Sequence, residues 1–170
     1  MQIRKINTSD LENLQKISRQ TFFETFSEVN SDEDMRKYLA ENLSEKNLKA
    51  ELENPDSEFY FAEENEEVLG YLKLNFGNAQ TEKQDLNAVE IERIYVLKEF
   101  LGQKVGQFLF EKALEVAREK KVDYIWLGVW EENHRALRFY EKNGFEIFGK
   151  HNFVLGTDVQ TDLMMKLKLK

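Results

Sequence analysis

Residues 88–130 read AVEIERIYVLKEFLGQKVGQFLFEKALEVAREKKVDYIWLGVW, and this stretch decides the fold. It predicts an apolar strand from Ala88 to Leu97, an amphipathic helix from about Lys104 to Lys120, and a second strand from Tyr124 to Trp130. A strand–helix–strand crossover of this kind joins parallel strands with a right-handed connection. We therefore expect a parallel strand pair with a helix packed against it.

Short helices and antiparallel strands are predicted on both sides of this crossover. Apolar residues recur at helical spacing after the first strand, and apolar and polar residues alternate along the last strand. The predicted elements are a strand at 1–6, a helix capped by Thr8 or Ser9 that reaches Phe26, helices beginning with Ser31 and Ser44, a hairpin at 59–76, a loop at 77–87, a helix at 132–142, and strands at 145–155 and 159–170. The expected fold class is α+β, that is, mixed α/β.

Size and composition indicate a single domain over residues 1–170. Of the 170 residues 41% are hydrophobic, enough for one sizeable core, and no linker-like stretch divides the chain. The chain has no cysteine, which excludes disulfides, thiolate metal sites and a thiol nucleophile. The N-terminus lacks a signal-peptide pattern and no apolar run is long enough to span a membrane, so we expect a cytoplasmic protein.

Charge is unevenly distributed along the chain. The net charge of -8 disfavours nucleic acid and anionic membranes as partners. Residues 24–67 contain 15 acidic and four basic side chains, a net charge of -11, whereas the rest of the chain carries +3. Such acids are typical of solvated helix faces. The alternative is an acidic rim that attracts a cationic partner.

The turn before the crossover helix, residues 101–107, is a candidate anion site. It reads LGQKVGQ; glycine lets backbone approach a ligand closely, and free amides at a helix N-terminus favour an anion. Glycine is also common in such turns for reasons of geometry alone. The spacing matches neither a P-loop nor a dinucleotide fingerprint, so a different phosphate ligand is required.

A second candidate site lies on the helix at about 132–142. Asn133 and Tyr140 are nearly two helical turns apart and share one face, with the small Ala136 between them. A groove beside that face would accommodate an extended ligand. The alternative is that Asn133 caps the helix and Tyr140 packs at the edge of a core.

The chain resembles the GNAT superfamily of N-acetyltransferases over residues 88–148. The resemblance rests on the segment ERIYV at 92–96, on the turn at 101–106, and on the ordered set Asn133, Ala136, Tyr140, Gly144 and Phe145. It implies the acyl-CoA N-acyltransferase fold, with the order β-α-α-β-β-β-α-β-α-β-β around a twisted, mostly antiparallel sheet that has a parallel central strand pair. In the turn, the family has Arg or Gln first and glycines fourth and sixth, where this chain has Leu101, Lys104 and Gly106.

The resemblance implies acetyl-CoA as the acetyl donor. Its pantetheine would pair as an extra strand with the backbone where the two parallel strands splay apart, and its pyrophosphate would lie on the amides of the turn. Lys104 would add a positive charge there. The implied cofactor contacts are Ile94, Tyr95, Val96, Gly102, Gln103, Lys104, Val105, Gly106, Gln107, Asn133, Ala136 and Tyr140.

Direct transfer in a ternary complex is favoured, because the chain has neither a cysteine nor a Gly-x-Ser-x-Gly elbow for an acyl-enzyme. Tyr140 is the predicted general acid at the CoA sulfur, and a main-chain amide near Val96 would polarise the thioester carbonyl. As base we prefer Glu92, acting through water, to Glu90; regular strand geometry would separate the two by about 6.5–7 Å. The alternative is that both glutamates are salt-bridge partners.

Other residues that attract attention have simpler interpretations. His134 and His151 are interpreted as ordinary polar residues, and no metal site is predicted. Trp126 and Trp130 share a strand face, which is typical of a core or a groove wall.

The expected acceptor is a small cationic amine. Residues 21–26, the acidic helices and residues 70–74 look most like bacterial spermidine/spermine acetyltransferases, which agrees with the negative charge of residues 24–67. A protein or peptide amine would suit the same catalytic centre, and a noncatalytic acyl-CoA-binding sensor is the competing class. The sequence leaves the oligomeric state open, a homodimer included.

Overall fold

The structure, a computed structural model, describes residues 1–82 and 87–169. Residues 83–86 of the predicted loop and residue 170 of the predicted last strand lie outside these ranges. The strands and helices are β1 (Gln2–Lys5), α1 (Leu11–Phe26), α2 (Asp32–Asn42), α3 (Glu45–Glu53), β2 (Ser57–Glu64), β3 (Glu67–Phe76), β4 (Ala88–Val96), α4 (Val105–Glu119), β5 (Tyr124–Trp130), α5 (His134–Lys142), β6 (Glu146–Leu155) and β7 (Asp158–Lys168).

The seven strands form one sheet in the order β1-β2-β3-β4-β5-β7-β6. β4 and β5, joined by the crossover helix α4, are parallel, and the other neighbouring strands are antiparallel. The predicted mixed sheet with a parallel central pair is therefore confirmed. The family order has two helices between the first and second strands. This chain has three there, α1, α2 and α3, as the predicted caps Ser31 and Ser44 indicate.

Two hydrophobic clusters cover the two faces of the sheet. One packs α4 and α5 on the sheet, and the other packs α1, α2 and α3 on the opposite face. Neighbouring residues of a strand alternate between the two, as Val129 and Trp130 of β5 do. The molecule thus has three layers, helices on both sides of a sheet. Among the described residues, no helix combines the length and apolar character needed to cross a bilayer.

Side-chain caps explain where the first three helices begin. Ser31 and Ser44 accept hydrogen bonds from the first turns of α2 and α3, as predicted. The predicted cap of the first helix is wrong: Asn7, rather than Thr8 or Ser9, accepts from a backbone amide, and Asp10 accepts from the amide of Asn7. A short 3₁₀ turn at Thr8–Asp10 precedes α1 and moves this reciprocal cap upstream.

The parallel strands β4 and β5 separate after only four residue pairs, of which Ile91 and Leu127 are the last. At this point a β-bulge interrupts the pairing of β4 with β3, since Lys73 pairs with Arg93 and the next residue of β3 pairs with Ile91. Glu92 is the extra residue of the bulge. Such a bulge bends its strand and increases its twist, which turns the end of β4 away from β5. The result is a gap within the sheet.

Candidate active site

A cleft of about 1360 Å³ passes through the gap between β4 and β5. Its wall includes Ile94 and Val129, which belong to the cluster under α4, and Tyr95 and Trp130, which belong to the cluster under α1. Because these sets lie on opposite faces of the sheet, the cleft connects the two faces. Both predicted catalytic residues and every predicted cofactor contact except Gln103 lie in its wall.

The turn that begins α4 presents free backbone amides to the cleft. The first amides of an α-helix have no partner within the helix, and here they belong to Val105, Gly106 and Gln107, all in the cleft wall. Gly102 and Lys104 both have positive φ, at 85° and 66°. Lys104 therefore adopts, at a cost of about 1–2 kcal/mol, the left-handed conformation that glycine takes more easily at the corresponding family position.

Gln103 is the predicted cofactor residue that the structure does not bring to the cleft. Its backbone amide donates to the carbonyl of Phe100 at 3.3 Å, and its side chain donates to the carbonyl of Glu99 at 3.5 Å. Gln103 thus forms hydrogen bonds within the turn, and its contact with the cofactor stays a prediction.

Tyr140 reaches the cleft wall from α5 while its ring belongs to the core. The ring packs against Phe139 and Phe145, at centroid distances of 5.4 and 5.5 Å. No hydrogen bond joins its hydroxyl to any described residue. Burial, together with the neighbouring Tyr95, raises the pKa of Tyr140 above its usual value, so the hydroxyl stays protonated at neutral pH. The phenol is therefore available as a proton donor.

Asn133 has the structural role that we gave as the alternative. It is the N-cap of α5, where its Oδ1 accepts a hydrogen bond from the backbone amide of Ala136 at 3.2 Å. Asn133 and Ala136 both line the cleft, so the cap also places the first turn of α5 beside the gap. The two interpretations of Asn133 are thus compatible.

Glu92 lies in the cleft wall, but its carboxylate is held by three neighbours. Its Oε1 accepts hydrogen bonds from Lys73 Nζ at 2.7 Å and Asn75 Nδ2 at 2.8 Å, and its Oε2 lies 3.0 Å from Arg93 Nη2. Burial opposes ionisation, but the positive charges of Arg93 and Lys73 and these hydrogen bonds outweigh it and lower the pKa of Glu92 to about 2. A carboxylate with so low a pKa accepts a proton poorly at neutral pH, which argues against Glu92 as the base.

A fourth residue, Glu51 of α3, completes the group that we call the ion-pair cluster. Its Oε1 lies 2.7 Å from Lys73 Nζ and 2.8 Å from Arg93 Nη1. The cluster of Glu51, Lys73, Glu92 and Arg93 is balanced in charge and ties α3 to β3 and β4. The two positive and two negative charges of the cluster therefore neutralise each other beside the cleft.

Glu90 has a different environment from Glu92, although the two carboxylates share a partner. Asn75 Nδ2 donates to Oε1 of both, at 3.0 Å for Glu90 and 2.8 Å for Glu92. Glu90 also accepts hydrogen bonds from the backbone amide and hydroxyl of Thr81, and none of the cations within residues 1–82 and 87–169 forms an ion pair with it. Burial raises the pKa of Glu90 above its usual value. The bulge thus gives two nearby glutamates opposite pKa shifts.

A scan against family models matches residues 11–145 to the acetyltransferase (GNAT) family. The chain belongs to this family. As a GNAT protein it is an acetyl-CoA-dependent N-acetyltransferase, which agrees with the free amides of the α4 turn and the gap between β4 and β5.

Individual relatives of this GNAT protein agree over nearly the whole chain. An N-acetyltransferase of Lactobacillus delbrueckii subsp. lactis, itself uncharacterised, is 45% identical over 169 residues, which cover 99% of this chain and 98% of that protein. The spermidine N(1)-acetyltransferase of Thermoplasma acidophilum is 27% identical over 151 residues, 86% of this chain and 89% of that protein. The crystal structure of the PaiA N-acetyltransferase of Thermoplasma acidophilum with coenzyme A superposes with a TM-score of 0.81 at 26% identity, covering 98% of both chains.

Sequence reasoning missed several residues in the wall of this GNAT cleft. Arg135 lies beside the α4 turn, with its Nη2 3.9 Å from the position that a Cβ would occupy on Gly102. His151 and Asp162 also line the cleft, although His151 was interpreted as an ordinary polar residue. Arg135 could have been predicted from the sequence, because it is a cation in the first helical turn after the Asn133 cap, on the helix that faces the ligand. His151 and Asp162 come from different strands, so no local pattern joins them.

Gly106 provides a direct test of where the donor binds. A Cβ on Gly106 would meet Val96 Cγ2 at 3.8 Å, an ordinary contact, so the protein itself has space for a side chain there. We expect Gly106→Val to fold normally but to fill part of the cleft and raise the Kd for acetyl-CoA at least about 10-fold, or ~1.4 kcal/mol. Calorimetric titration and thermal unfolding of the free protein measure the two effects.

Gly149→Val is the matched control, because Gly149 of β6 also has space for a Cβ, with Met164 Sδ at 3.7 Å, and lies outside the cleft wall. Unchanged affinity in Gly106→Val would place the phosphates of the donor elsewhere.

Proposed function

We propose that this acetyltransferase transfers the acetyl group of acetyl-CoA to a primary amine of an aliphatic polyamine such as spermidine or spermine. The observation that carries this proposal is the composition of the cleft on the α1 side of the sheet. Aromatic rings and carboxylates line it together: Phe22, Phe26, Tyr38, Trp130 and Phe153 with Glu24, Glu28, Glu90 and Asp162. Aromatic faces and carboxylates both attract alkylammonium groups, and the rings also bury methylene chains.

The aromatic residues form a continuous surface on this side. Phe22 stacks on Tyr38 at 4.2 Å between centroids, and Phe26 contacts Trp130 at 5.5 Å and Phe153 at 5.8 Å. These rings belong to helices α1 and α2 and to strands β5 and β6. They provide an elongated apolar wall beside the gap, which suits a chain of methylene groups better than a compact polar substrate.

The acidic residues of segment 24–67 divide into two groups. Some are engaged within the fold, as Glu51 is in the ion-pair cluster and Glu63 is with Arg4 at 2.7 Å. Glu24 and Glu28 line the cleft, and Glu24 also accepts hydrogen bonds from the backbone amide of Lys98 and from the side chain of Gln20. This favours an acidic rim at the cleft over the interpretation in which all of these acids are solvated surface. The likeness to a spermidine N(1)-acetyltransferase supports the same acceptor.

We infer the following reaction. The amine nitrogen attacks the thioester carbonyl carbon, the C–N bond forms, the C–S bond breaks, and Tyr140 protonates the departing CoA thiolate. The proton that the nitrogen releases as the amide forms restores the Tyr140 hydroxyl. A main-chain amide near Val96 polarises the carbonyl oxygen, and the backbone of Ile94, Tyr95 and Val96 pairs with pantetheine along the free edge of β4. In this scheme Glu92 holds the cleft wall through the ion-pair cluster rather than accepting a proton directly.

An acceptor panel tests the proposal. Free thiol is followed after mixing the protein and acetyl-CoA with spermidine, spermine, butylamine, a lysine-containing peptide, or no amine. We expect release well above the amine-free rate with the polyamines, and a KM for spermidine that rises about three- to tenfold from low to high salt because exposed charges are screened. The KM for butylamine, with one charge, should change less.

Each alternative has its own outcome in this panel. Turnover of the peptide alone would replace the polyamine with a protein or peptide amine. Tight binding of acetyl-CoA without thiol release across the panel would favour a sensor. If salt changes the KM values of spermidine and butylamine equally, the acidic rim does not attract the polyamine.

A further inference from the structure

The side chain of His151 lies at the edge of the cleft, between two carboxylates. It lies on β6 directly opposite Asp162 of β7, and its Nε2 is 3.5 Å from Asp162 Oδ2. On the other side its Nδ1 is 2.8 Å from a carboxylate oxygen of Glu82. Carboxylate oxygens thus lie near both ring nitrogens, Nδ1 makes no hydrogen bond with any of the described residues, and 29% of the side chain stays exposed.

Gly128 of β5 provides the space for this pair. A Cβ on Gly128 would lie 3.3 Å from His151 Cε1 and 3.5 Å from Asp162 Oδ2, tighter than most real contacts for the ring. The imidazole therefore packs directly over the β5 backbone. The φ angle of Gly128 is not positive, so glycine is needed here for its small size and not for its conformational freedom.

The position of Gly128 places His151 at the start of the gap. The pairing of β5 with β4 ends at Leu127, and Gly128 is the next residue. Alternation along β5 puts Gly128 on the same face as Trp130, the α1 side of the sheet. His151, Gly128 and Asp162 all line the cleft there. The imidazole thus lies on the side proposed for the acceptor, beside the point where the strands separate.

From this placement we propose that His151 is the catalytic residue that takes the proton of the acceptor amine, with Asp162 as the positioning carboxylate that holds the ammonium group beside it. The inference rests on the proposed function, since it needs an amine acceptor. An ammonium nitrogen can lie within hydrogen-bond distance of both His151 Nε2 and Asp162 Oδ2, because those atoms are only 3.5 Å apart.

The step balances without another reactant. The ammonium gives one proton to His151 Nε2, the neutral nitrogen forms the C–N bond, and the electron pair of the C–S bond leaves with sulfur, which Tyr140 protonates. The nitrogen releases its second proton as the amide forms, which restores the Tyr140 hydroxyl, and His151 returns its proton to solvent. Glu82 Oε1 lies 2.8 Å from Nδ1, so a carboxylate faces the nitrogen that does not react. This assigns to His151 the role for which Glu92, with its ion pairs, is poorly suited.

His151→Gln tests the assignment, with His134→Gln as the control because His134 is exposed and lies outside the cleft wall. We expect kcat/KM for spermidine at pH 7 to fall at least about 100-fold in His151→Gln, with unchanged Kd for acetyl-CoA. The ratio of wild type to variant should shrink as pH rises toward the amine pKa of about 10.4, since the amine then arrives deprotonated. The charged groups that face the ring are Glu82 after β3 and Asp162 on β7; Gly128 on β5 contributes none.

A merely structural role would lower stability and activity by the same factor at every pH, and such a constant ratio would overturn the inference. So would wild-type activity in His151→Gln. If that variant does not fold, Asp162→Asn replaces it. We then expect a smaller decrease in kcat/KM that also shrinks as the pH rises. A decrease that is the same at every pH would contradict the inference. An active wild type with an unaffected His151→Gln variant refutes His151 alone. A wild type that releases no thiol with any amine refutes the proposed function and this inference with it.

Discussion

Tyr140→Phe is expected to lower kcat by about 10²–10⁴-fold while acetyl-CoA still binds. The substitution removes only a hydroxyl that makes no hydrogen bond to the described residues, and the ring keeps its packing between Phe139 and Phe145. The folded protein therefore loses no bond, so the effect falls on proton donation to sulfur. Steady-state kinetics with saturating amine, and a binding titration with acetyl-CoA, separate the two.

Tyr60→Phe is the matched control, because Tyr60 is also buried and its hydroxyl donates to Glu58 away from the cleft. It should leave kcat unchanged. Near-normal kcat in Tyr140→Phe, in an experiment where chemistry limits the rate, would remove Tyr140 from the mechanism.

Lys73→Met is expected to lower the free energy of unfolding by about 3–5 kcal/mol. Lys73 is 5% exposed and pairs with both Glu51 and Glu92 at 2.7 Å. Without Lys73, the half-buried carboxylates of Glu51 and Glu92 share the single cation of Arg93, and methionine cannot compensate for their charge. Urea unfolding at neutral pH measures the loss. Lys112→Met is the control. The ammonium of Lys112 lies over the ring of Tyr60, as that of Lys73 lies over Phe59, but its one carboxylate partner, Glu115, is exposed. The expected cost is at most about 1 kcal/mol.

The same cluster predicts how stability depends on pH. The pKa of Glu92 is lowered from 4.5 to about 2 in the folded protein, so its contribution is complete above about pH 4.5 and is lost as the pH falls toward 2. In Lys73→Met the carboxylate loses a cation, its pKa rises, and the acid-induced loss between these pH values becomes smaller. An equally steep acid transition in both proteins, or equal stability at neutral pH, would contradict this account.

Much of the architecture follows from local sequence signals. The strand at Tyr124–Trp130 was predicted with the boundaries that the structure has, because a buried parallel strand is a short apolar run between polar turns. The hairpin of β2 and β3 turns at Asn65 and Glu66, whose φ angles of 53° and 66° are those of a tight hairpin turn. Ser31 and Ser44 mark helix starts because their hydroxyls accept backbone hydrogen bonds.

The parts that escaped prediction depend on long-range geometry. Alternation runs without interruption through Glu90 and Glu92, so nothing local indicates the bulge that brings both to Asn75. The charge state of Glu92 depends on Glu51 and Lys73, which are distant along the chain. His151 acquires its position only when β6 and β7 pair and Gly128 leaves space. Single residue types suggest chemistry, but their partners are decided by how the sheet assembles.

The gap between β4 and β5 also bears on which strand edges another chain can reach. Beyond the four residue pairs that join β4 to β5, the gap separates a four-stranded part of the sheet from a three-stranded part, and each part has an unpaired inner strand edge in addition to its outer edge. Unpaired edges are templates for pairing with another chain. Here both inner edges face each other across a cleft whose wall includes residues of α1, α4 and α5, so a strand of a second molecule has no straight approach to them. The molecule keeps two open hydrogen-bonding edges for a thin ligand while shielding them from its own copies.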